Sequence, residues 1–302
     1  MNHKYLRVLI ILSLMTGNLA CTNTSPVNSV KLPTPQVTNT QNQVTIKIMG
    51  AGSIYPAMKL LAEAYQTNNP NTSIEFMDKG QSSAGIAALK NNLIAIALTT
   101  RPLKKEEDDG SIKYQEFAKD ALLVATNSNV TGVKNLTTAQ LQDIYTGNTQ
   151  DWQAVGGPAG EIIVLDRPED ESAKQVLREI YLGKDLPITE KAVVIAQESE
   201  LADNLTITPN AIGTFARSYA TINKLAVNPL SLNNIPPDPA SVQAGQYQMV
   251  RSLGLVTAKD SQPETAKFIN FILSPAGQEI LTKAGFVPNS MPANQSSPQP
   301  SS

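Results

Sequence analysis

Three strand-like stretches between residues 44 and 98 each lead into a short loop rich in glycine or hydroxyl residues. Residues 44–49 alternate like a strand and stop at Gly50-Ala51-Gly52-Ser53. Met58, Leu61 and Tyr65 then fall at helical spacing until Asn69-Pro70 breaks the pattern. A second strand pattern, residues 72–77, leads through Gly80-Gln81-Ser82-Ser83 into a helix over 84–91. Residues 94–98 are wholly apolar, as a strand buried on both faces must be, and end in Thr99-Thr100-Arg101-Pro102. Strand, polar loop and helix in alternation predict an α/β domain with a mostly parallel sheet. In such sheets ligands sit at the carboxyl ends of the strands.

The pattern continues less regularly. Strands are expected at 121–126, 161–165, 209–216 and 250–257, and helices at 138–145, 170–182, 264–273 and 275–284, with Gly285 ending the last. No internal repeat is apparent. Residues 22–43 and 289–302 are rich in Pro, Ser, Asn, Gln and Thr and cannot build a core, so the first reads as a flexible tether and the second as a disordered tail.

The N-terminus reads as a targeting segment. Lys4 and Arg7 precede an apolar stretch over residues 8–15, and the segment closes at Gly17-Asn18-Leu19-Ala20-Cys21. This ending resembles the lipobox of bacterial lipoproteins, with Asn18 departing from the preferred aliphatic residue; the alternative is a conventional signal peptide that happens to contain Cys21. Residues 1–20 are therefore expected to be removed, leaving Cys21 as a lipid anchor. Cys21 is the only cysteine, so the fold has no intramolecular disulfide. His3 is the only histidine and lies in the same segment. That removes Ser–His catalysis and histidine metal sites from the folded part. A formal charge of −2 argues against a nucleic-acid partner.

Loops of this kind have one physical use beyond turning the chain. A helix N-terminus carries unpaired N–H groups and a positive partial charge, so it attracts anions without a formal cation. Ser or Thr adds a neutral donor, and Gly lets the backbone come close. Each loop alone is more simply a capped helix start, since Ser and Thr are preferred caps. Three converging would suit a tetrahedral oxyanion, but periodicity does not establish convergence. The run Lys104-Lys105-Glu106-Glu107-Asp108-Asp109 reads as a solvated face, and Trp152 as packing.

The same loops resemble the phosphate-binding proteins of Pst-type ABC uptake systems. Gly52-Ser53-Ile54-Tyr55-Pro56, Ser82-Ser83-Ala84-Gly85-Ile86, Thr99-Thr100-Arg101-Pro102-Leu103, Ala211-Ile212-Gly213, Ser274-Pro275-Ala276-Gly277-Gln278 and Gly285-Phe286-Val287-Pro288 follow the family's motifs in order. The resemblance implies a type II periplasmic-binding fold, with two α/β lobes hinged on two crossing strands near 121–126 and 248–257. Lobe one would be 44–122 plus 250–288, and lobe two 123–249. It implies a monomer outside the cytoplasm that captures phosphate or a similar oxyanion between the lobes and passes it to an ABC permease, without cofactor or catalysis. Lobe one would supply Ser53, Ile54, Ser82, Ser83, Thr99, Thr100 and Arg101; lobe two would supply Arg167, Glu171 and Ser172.

Lobe two departs from the pattern. Glu171, Ser172 and Ala173 stand where the family has Ser, Gly and Thr, and Thr214 replaces a Tyr. Glu169, Asp170 and Glu171 read as an acidic first helical turn. Alternatively, Glu171 supplies the proton acceptor that some members carry at the position of Thr100. A surface interaction or sensor protein that has lost or changed its ligand is the competing expectation.

Overall fold

The computed structural model describes residues 43–289. The expected signal peptide, the anchor at Cys21 and nearly all of the tether and tail lie outside the described residues. In chain order the elements are β1 (Val44–Gly50), α1 (Tyr55–Asn68), β2 (Thr72–Phe76), α2 (Ser82–Lys90), β3 (Ile96–Thr99), β4 (Ile112–Asn127), β5 (Asn135–Leu136), α3 (Thr138–Thr146), β6 (Ile163–Asp166), α4 (Ser172–Leu177), β7 (Val193–Val194) and α5 (Glu198–Ile207). Then come β8 (Ala211–Ala216), α6 (Arg217–Ile222), β9 (Val227–Pro229), β10 (Ser231–Leu232), α7 (Pro239–Gln243), β11 (Val250–Ala258), α8 (Pro263–Leu273), α9 (Pro275–Lys283) and β12 (Val287–Pro288).

The main sheet runs β2-β1-β3-β11-β4-β8-β6-β7. β1 is parallel to β2 and β3, and β11 is antiparallel to both β3 and β4. β8 is antiparallel to β4, while β6 is parallel to β8 and β7. The strands on the β1 side therefore run opposite to those on the β6 side, and their carboxyl ends face one another.

β4 makes this possible. Residues 112–121 pair with β11, and residues 122–126 pair with β8. Phe117 and Ala118 pack into one core with Ile48, Met58, Leu98 and Phe268. Ala121, Leu122 and Val124 pack into another with Trp152, Tyr145 and Ile212. One strand thus threads two cores, the two-lobed type II periplasmic-binding arrangement.

The sequence places this strand only at 121–126. Its first half is missed because exposed Lys113 and Gln115 interrupt it, and buried Ile112 and Phe117, with the register shifting at Phe117, pack into different cores, leaving neither strict alternation nor a continuous apolar run. No helix is expected between 183 and 263, yet α5, α6 and α7 lie there. The helix expected over 170–182 is α4 continued by a π-helical turn, Arg178–Leu182.

Candidate functional site

The three lobe-one loops are bonded to one another. Ala51 N donates to Leu98 O and Gly80 N to Gly50 O, both at 3.0 Å, and Thr100 N donates to the Ser82 hydroxyl at 3.2 Å. Two glycines allow this approach. Gly50 has φ +140°, and a Cβ there would run into the Leu98 backbone. A Cβ on Gly85 would come within 2.9 Å of Gly50 Cα. The helices starting here are not capped by side chains: α1 and α2 receive no such bond, as is also true of α5, α6 and α8, whereas Thr137, Glu171, Asp238 and Ser274 cap α3, α4, α7 and α9. The first-turn N–H groups of α2 are therefore left for another acceptor.

These loops form one wall of a cleft of about 780 Å³. Ser53, Ser82, Ser83, Thr100 and Arg101 line it from the β1 side, and Pro168, Glu171, Ser172 and Gln175 from the β6 side. Ile54 and Thr99 are fully buried and do not form the wall. Ile54 N donates to Ala51 O at 3.1 Å. The Thr99 hydroxyl donates to Arg101 O at 2.7 Å.

Arg101 is held by a carboxylate that sequence reading assigned to a solvated run. Its two terminal nitrogens donate to Glu107 at 2.7 Å each, and one also reaches the Ser83 hydroxyl at 2.9 Å. Glu107 accepts from Lys104 N as well, at 2.8 Å. Hydrogen bonds from Arg101 chiefly hold the Glu107 carboxyl down at about 2. Lys104 itself lines the cleft.

On the opposite wall Arg167 follows β6, buried behind Glu171. Its guanidinium lies 3.1 Å from one Glu171 oxygen and 3.4 Å from Ile195 O, and its Nε has no hydrogen-bond partner among the described residues. The other Glu171 oxygen accepts from Ala173 N at 2.7 Å and so caps α4. Burial pushes the Glu171 carboxyl up, but the Arg167 charge and the hydrogen bonds from Arg167 and Ala173 outweigh it and hold it below the ordinary glutamate value. The Ser172 hydroxyl donates to Glu171 at 3.3 Å and sits 3.5 Å from Arg251.

Buried Arg251 and Asp120 form an ionic group with half-buried Glu198 beside the site, which sequence reading missed. The signal was present: Arg251 is a lone charge inside an apolar strand, and Asp120 opens one. Thr214 lies inside lobe two, 3.4 Å from the Tyr145 hydroxyl. Trp152 is buried in the same core and donates to Asn210 O at 2.9 Å.

The family and the fold are shared with known proteins. The model of the PBP superfamily domain matches residues 35–276. The chain is 30% identical over 258 residues to the phosphate-binding protein PstS of Borreliella burgdorferi, covering 82% of this chain and 91% of that one. It superposes with TM-score 0.68 on the crystal structure, with bound phosphate, of a Clostridium perfringens protein assigned as a phosphate ABC transporter substrate-binding protein. Identity there is 30%, over 82% of this chain and all of the other. The crystal structure of PstS from Borrelia burgdorferi gives TM-score 0.59 at 27% identity, again over 82% and 100% of the two chains.

Proposed function

We propose, since this chain belongs to the PBP superfamily, that it captures phosphate or a closely related oxyanion in the interlobe cleft and hands it to an ABC permease. The observation that carries this reading is the convergence of three hydrogen-bonded loops, with the uncapped start of α2, on one cleft wall. Relatives named as phosphate-binding proteins support the choice of anion. Ser53, Ser82, Ser83 and Thr100 offer neutral donors from lobe one. Arg167 offers the guanidinium from lobe two, whose fork suits an oxyanion edge.

The cleft is far roomier than one tetrahedral anion. Capture therefore involves closure about β4 and β11, which brings the second wall onto an anion first met by lobe one. The protein acts as a monomeric binding protein without catalysis, outside the cytoplasm and held to the membrane by a lipid on Cys21. A Cys21→Ser variant recovered in the soluble extracytoplasmic fraction, with wild type in the membrane fraction, is the outcome that supports the anchor.

A thermal-shift panel with phosphate, arsenate, phosphite, sulfate and molybdate tests the ligand. Tight binding raises the melting temperature by mass action. No response to any of these anions would leave the surface-interaction alternative in its place.

A further inference from the structure

We infer that Glu171 is a built-in competitor: its carboxylate occupies the lobe-two half of the anion site, and an incoming oxyanion displaces it from Arg167. This inference rests on the oxyanion-binding reading above. Glu171 is a two-oxygen anion already seated on the donors an oxyanion would take. It holds an Arg167 guanidinium nitrogen at 3.1 Å, the Ala173 amide at 2.7 Å and the Ser172 hydroxyl at 3.3 Å. It is also reachable, because it lines the cleft and keeps 21% of its side chain exposed, whereas Arg167 keeps 5%.

Charge makes the consequence definite. Arg101 on the cleft wall is neutralised in advance by Glu107, and Arg167 behind the opposite wall by Glu171. An anion entering beside an ionised Glu171 gains the guanidinium only by exchange, and while the carboxylate stays it meets repulsion at short range. Among the described residues the Nε of buried Arg167 has no partner, so Glu171 does not exhaust its capacity as a donor. Glu171 thereby sets the affinity of lobe two below what its donors alone would give.

A proton-accepting Glu171 and a competing Glu171 predict opposite signs on neutralisation. Titration calorimetry with inorganic phosphate, at one pH and salt, compares the full chain with Glu171→Gln, Glu171→Ser and Asp170→Asn. Serine keeps a side-chain acceptor for the Ala173 amide, so that variant preserves the α4 cap if glutamine disturbs it. Asp170 is an exposed carboxylate on the same wall without a bond to Arg167, and it measures the general effect of removing one charge. The expected result is phosphate binding tightened about tenfold or more in both Glu171 variants and less than about threefold in Asp170→Asn. Equal or weaker binding in both Glu171 variants while wild type binds would overturn the competitor and leave the oxyanion reading intact. Equal tightening in Asp170→Asn would also overturn it. No binding by any of the proteins would sink both.

Discussion

Asp120 on β4 and Arg251 on β11 stand directly opposite each other in the antiparallel pair that runs between the lobes, and both are almost wholly buried. An Arg251 nitrogen lies 3.6 Å from Asp120 and 3.5 Å from Glu198 at the start of α5. Asp120 accepts from the Ser218 amide at 3.1 Å and from its hydroxyl at 2.6 Å. Both crossing strands are thereby tied to helix starts of lobe two. Asp120→Ala removes the acceptor for Ser218 and leaves Arg251 buried with one carboxylate fewer. Breaking such a pair costs about 3 kcal/mol, to be seen as a lower urea midpoint with unchanged slope.

Asp120 also gives stability a pH signature. Burial, only partly opposed by the Arg251 charge, pushes its carboxyl from 3.8 up to about 6. The folded state then binds a proton more tightly than the unfolded chain. Its contribution is greatest below about pH 4 and falls as pH rises to about 6. Glu107, held down at about 2, slopes the other way and loses its contribution as pH drops below about 4.5. The two separate by difference: stability of wild type minus that of Asp120→Asn should decline as pH rises from about 4 through about 6 and level off about one unit higher. A difference that is flat across that interval would contradict the assignment.

What was legible in the sequence followed from local rules. β1, β2, β3 and the two C-terminal helices have regular periodicity and clear stops at Asn69-Pro70 and Gly285. Ser82 was legible as a hydroxyl at a helix start, but its bond to Thr100 N depends on Gly50 and Gly85 letting the loops touch, and that is a tertiary fact. Glu107 looks solvated in the sequence because its partner Arg101 lies on the far side of Pro102, where no helical spacing links them. Asp120 and Arg251 are far apart in sequence, and their pairing exists only once β4 and β11 are in register.

Gly85 is expected to matter more than its place in a helix suggests. A Cβ there would lie 2.9 Å from both Gly50 Cα and Met49 O, and backbone cannot yield as a flexible side chain does. Gly85→Ala gains helix propensity, yet overpacking of this kind costs about 1–3 kcal/mol. The start of α2 must move away from β1, so the first and second loops separate. The melting temperature and the phosphate affinity should fall together, whereas Gly183→Ala, strained at φ +80° but with open space around its Cβ, should lower the melting temperature and leave affinity unchanged.

Ser82 tests whether the loops work as a unit. Its hydroxyl accepts from Thr100 N at 3.2 Å, joining the second loop to the third at the cleft wall. Alanine removes that acceptor and also the hydroxyl proposed as a donor to the anion. The structural part is one neutral hydrogen bond, about 1 kcal/mol of stability. The binding part includes a lost donor and a third loop free to drift, so phosphate affinity should fall by more than about tenfold, beyond what one neutral hydrogen bond would give. Ser82→Thr keeps the hydroxyl and should restore most of that affinity. If Ser82→Ala instead loses stability and keeps its affinity, Ser82 is a strut between loops and the anion is held by their backbone amides alone.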